Sequence, residues 1–524
     1  MLGPAITTTA LLYGAAAAAT TSYNTTRMSS SPCQALSEAG LQNRLIVPSD
    51  GQIYTSEVNS YFSANERQNA SCFVLPETTE EVSLVLTTLV KAKAAASANV
   101  TGWDWEVAVR SGGHSSTGAS STNNGVTIDL KKLNGTSYNP ETNIAGIGPG
   151  GRWQYVYQEL LEKYGPITVA GGRDGDVGVG GFLLGGGNSY YSGNVGFGCD
   201  TVANFEVVLA DGSVVDANAS NDNADLYRAL KGGGSNFGIV TRYDMTAIPA
   251  PDIFTDTRLL SSNYSTALID AVVGYADSGL DLADDALFVF WAHDTSVTGT
   301  VAAPNTIYGA GVHVNTQGVT NSSTPWDEVV KLPALYNVTT VEDVATAAFA
   351  SQVQNGTWNY GTTLMFNNDP RIARKSVELH NRFVASLNEL MGPSDFFTQL
   401  FLQPFPSYRW GYGAKGGGNV LGLDNLTNNA LLYTAGVGLM SEDGPRDQAN
   451  ALMITMRQEL EDYAKEVGGS MEFVYMNYAG ADQIPISTYG KENIELIRDV
   501  AKRYDPTGVF QTLIPGGFKI SQVV

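Results

Sequence analysis

Residues 109–118 read VRSGGHSSTG, and the fold turns on how this stretch is read. His114 is one of only four histidines in 524 residues, and it follows a Gly-Gly pair. The apolar run WEVAV (105–109) precedes the turn and GVTIDL (125–130) follows it. Two short strands therefore flank a loop of small residues that carries a rare titratable ring. Glycine costs folding entropy, so a cluster of it needs a reason. One reason is a row of backbone N–H groups left open for a pyrophosphate. A second stretch of this kind, VGVGGFLLGGG, spans Val177 to Gly187. An anionic but largely planar and apolar cofactor would fit both loops.

A dinucleotide fingerprint would place its G-x-G-x-x-G turn at the start of a helix inside a βαβ unit. Here the surroundings read as glycine-rich loop and strand. No Gly-Lys-Ser/Thr closes the run, which excludes a Walker loop. His114 has no near helper for a zinc site or a hydrolase triad, and no metal is expected.

The chain carries 52 acidic and 30 basic residues, a net charge of −22. Nucleic acid and anionic membrane are poor partners for such a chain, because phosphate binding needs clustered Lys and Arg. No run of about 20 apolar residues follows the N-terminal region, so no membrane span is expected. A small-molecule substrate and a monomeric chain are expected. Of three cysteines, Cys33 and Cys72 lie together near the N-terminus, and a Cys33–Cys72 bridge with Cys199 free is the simplest arrangement in an oxidising compartment. Asn-x-Ser/Thr occurs at Asn24, Asn69, Asn99, Asn134, Asn218, Asn263, Asn321, Asn337, Asn355 and Asn425, which points to a secreted glycoprotein. LLYGAAAAAT suggests a leader cleaved near Ala19, although no Lys or Arg precedes it.

PETTEEVSLVLTTLVKAKAA from Pro76, YVYQELLEKY, NADLYRAL, SVELHNRFVASLNELM and KENIELIRDVAKRY read as helices. NFEVVLADGSVVDA reads as a hairpin turning at Asp211-Gly212. Composition changes near Pro249 and Pro251, where glycine-dense loops give way to longer α and β patterns.

Taken together, PETTEEVSLVL, VRSGGHS, DVGVGGFLLGGG, DLYRALKGGGSNFGIVT, YMNYAG and YDPTGVFQ, in this order, resemble the berberine-bridge-enzyme-like flavoproteins of the vanillyl-alcohol-oxidase superfamily, in their fungal secreted branch. The resemblance implies an α+β fold, with a two-subdomain FAD-binding lobe of PCMH type and an α+β substrate lobe whose antiparallel sheet covers the flavin. The implied divisions are a leader at 1–19, an N-terminal segment at 20–67, the FAD-binding domain at 68–249, the substrate domain at 250–465, and a tail at 466–524 that returns to the FAD lobe.

It also implies a covalent bond from His114 to the 8α-methyl of FAD. Members with a second tether carry Cys in G-x-C-x-x-V-G-V-G-G. Here Asp174 stands at that position between Gly172 and Val177, so a single tether is expected and Cys199 is read as structural. The cofactor-binding set is Arg110, Ser111, Gly112, Gly113, His114, Ser115, Gly118, Gly172, Asp174, Val177, Gly178, Gly180, Gly181, Gly185, Gly187, Gly238, Val240 and Asn477. The Y-x-N-Y motif maps to Tyr475, Asn477 and Tyr478. Tyr478 is the expected base, with a carboxylate or His313 next in line. If YMNY is a strand, Tyr475 and Asn477 share one face and Met476 and Tyr478 the other. The expected activity is that of an FAD-dependent oxidase, taking hydride from a C–H next to O or N and passing electrons to O2. A redox-neutral flavoprotein of secondary metabolism and a non-catalytic secreted glycoprotein are the alternatives.

Overall fold

In the computed structural model the described residues are 31–97, 105–297 and 307–523. The expected leader and the sequons at Asn24 and Asn99 lie outside them. The first sheet contains β1 (Leu45–Ile46), β2 (Cys72–Val74), β3 (Val107–Arg110) and β4 (Val126–Asp129), in the order β1-β2-β4-β3. β4 runs parallel to both β2 and β3. Parallel strands need a long crossover, and the helix Thr79–Ser97 lies in the one that leads from β2 past the place of β4 to β3. VRSGGHS thus leaves the carboxyl end of a parallel strand, where a loop is free to meet a ligand. Cys33 is bonded to Cys72, which ties the helix Pro32–Leu36 to β2.

The second sheet is antiparallel. It comprises β5 (Thr136–Asn139), β6 (Ile144–Ile147), β8 (Val202–Val208), β9 (Val214–Asn218) and β10 (Ile239–Thr246), in the order β5-β6-β10-β8-β9. The Asp211-Gly212 turn joins β8 to β9. Gly212 has φ +85°, and a Cβ there would lie 2.2 Å from Thr87 Cγ2. A short pair, β7 (Ile167–Thr168) with β11 (Ile248–Pro249), closes this lobe. The second glycine stretch is not all loop: Val179–Leu184 forms a short helix.

From Ile253 the chain builds an antiparallel sheet of eight strands among the described residues. It runs β12 (Ile253–Ser261), β13 (Asp285–His293), β14 (Tyr308–Asn315), β15 (Tyr336–Glu342), β16 (Trp358–Asn367), β17 (Phe396–Phe405), β18 (Ala430–Leu439) and β19 (Ser470–Met471), ordered β15-β12-β14-β13-β17-β18-β16-β19. Strand alternation separates its two faces. Leu287, Trp291, Leu400, Leu431 and Tyr433 join the core beneath the helices Ser265–Ala276, Pro370–Leu390 and Arg446–Glu466. Phe288, Phe405, Ala430 and Leu432 instead join the core that contains Trp153, Leu183 and Tyr475. The sheet therefore lays its second face on the first lobe. The tail also reaches that lobe. Tyr504 Oη donates to Asp225 at 2.8 Å, and the Val107 amide at the edge of β3 donates to the Leu513 carbonyl at 2.8 Å.

YMNY departs from the expected strand. After β19 the chain leaves the sheet, and Met476–Tyr478 is a 3-10 turn closed by Tyr478 N–H to the Tyr475 carbonyl at 3.0 Å. Contacts with Gly185 to Asn188, set out below, override the local alternation.

Arg110 anchors the base of the loop after β3. Its side chain is 4% exposed, donates to Glu57 Oε2 at 2.6 Å and to Asp129, and lies 4.4 Å over the Tyr61 ring. Lys131 also meets Glu57. Arg110→Met would leave two buried carboxylates without their main counter-ion. It should lower the unfolding free energy by about 3–5 kcal/mol, read as a fall in the denaturant midpoint at unchanged slope. A loss below about 1 kcal/mol, the worth of a surface pair, would show that Lys131 alone neutralises the cluster.

Candidate active site

The two glycine loops meet backbone to backbone. A Cβ on Gly112 would sit 2.5 Å from Gly178 Cα, and one on Gly178 would sit 2.3 Å from Gly112 N. Neither position has room for a side chain. Ser111 staples the contact: its hydroxyl donates to the Pro149 carbonyl at 2.5 Å and accepts the Gly180 amide at 3.0 Å. Arg152, which the sequence reading did not single out, bridges the same loops. It donates to the Gly112 carbonyl at 2.8 Å, and its Nη1 lies 2.8 Å from Asp176 Oδ1. Gly113 has φ +67° and turns the chain toward His114.

The His114 ring stacks on Phe62 with centroids 3.9 Å apart and planes 10° apart. Its side chain is 23% exposed, yet Nε2 is buried without a hydrogen-bond partner. Burial, reinforced by the nearby Arg152 charge, pushes its pKa down to about 4. The imidazole is therefore neutral at physiological pH. Asp174 Oδ2 lies 3.8 Å from Nε2, and this separation makes neither a hydrogen bond nor, with a neutral ring, an ion pair. Asp174 instead accepts the amides of Asp176 at 2.8 Å and Val353 at 3.2 Å. Burial raises its pKa.

Among the described residues, the amides of Gly112, Gly113, His114 and Ser115 donate to no protein acceptor. Four successive open N–H groups on a tight turn form a nest for an anion. Gly118 is not part of it. Its amide donates to Glu66 Oε1 at 2.6 Å, as do those of Ala119 and Ser120 to the same carboxylate at 3.1 and 3.2 Å. Glu66 is fully buried and closes that end of the loop. Ser115 Oγ is engaged by Thr117. The Arg110 side chain also points away from the nest, into its ion cluster.

Several glycines of the candidate set are explained by packing. A Cβ on Gly172 would meet Trp153 at 2.5 Å, on Gly185 Asn477 Oδ1 at 2.0 Å, on Gly187 Phe182 at 2.5 Å, and on Gly238 Val207 at 2.4 Å. Gly181 faces open space. The Val177 carbonyl accepts the Trp153 amide at 3.2 Å, and Val240 is buried in β10.

Beyond this cradle the Y-x-N-Y turn docks on the second loop. Tyr475 Oη accepts the amides of Gly187 and Asn188 at 2.9 and 2.8 Å, and the Asn477 amide at 3.2 Å. Asn477 also donates to the Phe182 carbonyl at 2.9 Å. Tyr475 is thereby a fixed post, and burial drives its pKa upward. Tyr478 meets it edge to face, centroids 4.8 Å apart, and is only partly buried. Arg173 Nη2 donates to Tyr478 Oη at 2.7 Å and to Gln403 Oε1 at 2.8 Å. Arg173, Gln403, Asn188 and Arg409 were not in the candidate set. Arg173 stood beside Asp174 in the glycine stretch, a charge signal that was passed over. The others join only through the fold. His313 Nε2 lies 2.7 Å from Asp285 Oδ1, which also accepts Asn315 Nδ2 at 3.1 Å.

Residues 70–218 match a family model described as an FAD binding domain. An FAD-dependent monooxygenase of Aspergillus calidoustus is 34% identical over 504 residues, covering 94% of this chain and 90% of that protein. Chitooligosaccharide oxidase superposes with a TM-score of 0.72 at 18% identity, covering 93% of this chain and 99% of the other. Berberine bridge enzyme from Eschscholzia californica gives a TM-score of 0.70 at 17% identity, covering 92% and 99%. The chain belongs to the family of this fungal FAD-dependent monooxygenase, FAD-linked oxidoreductases, and shares its fold with berberine bridge enzyme. Members of this family need a site for a pyrophosphate and a flavin, and the residues here fit both. The open amides of 112–115 would suit a pyrophosphate, and His114 Nε2 is a buried ring nitrogen with no protein partner.

The loop contact yields a test. Gly178→Ala must push Gly112 aside, so FAD affinity should fall at least about tenfold, about 1.4 kcal/mol, and the purified protein should carry less FAD than the parent. Gly181→Ala, which meets nothing within 4 Å, should keep parental flavin content. Equal occupancy in both variants would show that the loop contact does not shape the cofactor site.

Proposed function

We propose that this flavoenzyme is a secreted oxidase that removes a hydride from a C–H next to O or N of a small molecule and delivers the electrons to O2 as H2O2. In this reading FAD is tethered through His114 alone. The observation that carries it is the Arg173–Tyr478 hydrogen bond beside the flavin cradle. When bound, FAD supplies the two-electron acceptor that links substrate to O2.

The chain's residues do the rest. Tyr478 Oη accepts the proton from the substrate O–H or N–H once its own proton has passed to solvent, so the phenolate becomes the phenol as the hydride leaves. Arg173 holds that oxygen and offsets the negative charge of the phenolate before the transfer. Tyr475, pinned by three N–H donors, fixes the turn that presents Tyr478. The second face of the large sheet backs the site, with the Arg173 guanidinium 5.1 Å over the Phe288 ring. Overall the substrate loses a hydride and a proton, and O2 gains both.

For the tether, a neutral imidazole is the nucleophilic form, and burial maintains it in His114. Asp174, tied to Asp176 and Val353, offers no thiolate for a second bond. Secretion is supported by the Cys33–Cys72 bond and by exposed sequon asparagines at positions 69, 134, 263, 321, 337, 355 and 425. Asn218 is half-buried, and its amide donates to Asn204 at 3.1 Å.

The name of the Aspergillus calidoustus relative favours a second reading, insertion of an oxygen atom. Turnover under 18O2 separates the two. The oxidase reading requires about one H2O2 per product and no 18O in the product. Label in the product assigns monooxygenation, and turnover without O2 uptake assigns a redox-neutral reaction.

Two further outcomes are expected. Tyr478→Phe should fold and keep the flavin spectrum, while anaerobic flavin reduction slows by about 10²- to 10⁴-fold. A change within about threefold would exclude Tyr478 as the base and turn attention to Asp285. Covalent loading of flavin-free protein should be insensitive to pH from about 7 down to about 5, because the ring protonates only near 4. An acid limb centred near the unperturbed value of about 6.5 would show that burial does not hold His114 neutral. Between about 6.5 and 4 the unfolded chain takes up a proton that the folded chain refuses, so this site weakens folding as pH falls through that window.

A further inference from the structure

Two guanidinium groups face one cavity without an acidic partner. Arg173, Asn188, Gln403 and Arg409 line it where the second glycine loop meets the end of β17. Arg173 donates to Gln403 Oε1 at 2.8 Å and to Tyr478 Oη at 2.7 Å. Arg409 donates to Asn188 Oδ1 at 3.1 Å and to the Pro404 carbonyl at 3.3 Å. Its Nε is buried without a partner. Asn188 Nδ2 in turn donates to Gln403 Oε1 at 3.0 Å. The two cations are therefore joined by a chain of amides, and all their protein acceptors are neutral oxygens.

Among the described residues, no carboxylate comes within 4 Å of either guanidinium. Asp285 lines the same cavity, but His313 and Asn315 engage it. The omission is costly at Arg409, whose Nε is buried without a partner, because a cation without a counter-charge loses hydration uncompensated. It is not for want of acid: the chain has 52 Asp and Glu, and Arg110, Arg152 and Arg242 all meet carboxylates. The missing charge fits a ligand. A guanidinium fork matches the two oxygens of a carboxylate. The pyrophosphate has its own place at the open amides of 112–115.

We propose that the substrate carries a carboxylate, held between Arg173 and Arg409, which sets its reacting carbon beside Tyr478. Arg173 then contacts both the anchoring group and the proton acceptor. The substrate class is a hydroxy or amino acid bearing an apolar body, rather than a neutral oligosaccharide. This inference rests on the flavoenzyme reading above.

Titration of the purified holoenzyme with benzoate and with its neutral isostere benzamide, followed by the flavin absorption difference spectrum, tests it. Benzoate should bind saturably and at least about tenfold more tightly than benzamide. Arg409→Gln should weaken benzoate about ten- to hundredfold, the worth of a hydrogen bond to a charged group, and leave benzamide within about threefold. Arg409→Lys should recover part of the loss. Equal binding of both probes by the parent protein overturns the proposal whether or not a variant folds. So does parental benzoate affinity in a flavin-loaded Arg409→Gln. A yellow, O2-consuming protein with no preference for benzoate refutes the anion site and leaves the oxidase reading standing. A colourless preparation refutes both.

Discussion

The contact between Gly112 and Gly178 is the constraint on which the rest depends. Two backbones approach so closely that a methyl on either would overlap the other. That approach aligns the nest of open amides at 112–115 with the amino end of the helix Val179–Leu184. It is held from three sides: by Ser111 reaching Pro149 and Gly180, by Arg152 crossing to Asp176, and by Glu66 closing the far end of the first loop. Each clamp is polar.

The same kind of clamp governs the substrate side. Tyr475 spends its hydroxyl on three N–H donors and becomes a structural post. Three residues on, Tyr478 turns its hydroxyl to Arg173. The 3-10 turn makes this division of labour. In a strand, residues three apart would point to opposite faces. Here the two rings meet edge to face, so one tyrosine buttresses the other.

Much of this was legible in the sequence because it is local. The glycine loops, His114 on its turn and the hairpin at Asp211-Gly212 each follow from a short stretch and its chemistry, and the Cys33–Cys72 pair from there being only three cysteines. What was not legible depends on distant partners. Gly118 looks like cradle until Glu66, 52 residues away, takes its amide. Arg110 looks like a phosphate ligand until Glu57 and Asp129 claim it. Gly185 looks like a cofactor glycine until Asn477 fills the space beside it. Arg409 had no local signal at all; only the meeting of β17 with the second loop brings it opposite Arg173. Alternation misjudged YMNY because tertiary hydrogen bonds outweigh a strand pattern of a few residues.

The central claim is that the two loops present FAD to the neutral ring of His114 and to no second nucleophile. Mass mapping of tryptic peptides from acid-precipitated protein tests it most directly. Cleavage after Arg110 and Lys131 releases residues 111–131 with His114, and cleavage after Arg173 and Arg228 releases 174–228 with Asp174 and Cys199. The account predicts flavin on the first peptide alone. Flavin on the second peptide, or flavin wholly released by the acid, would contradict it.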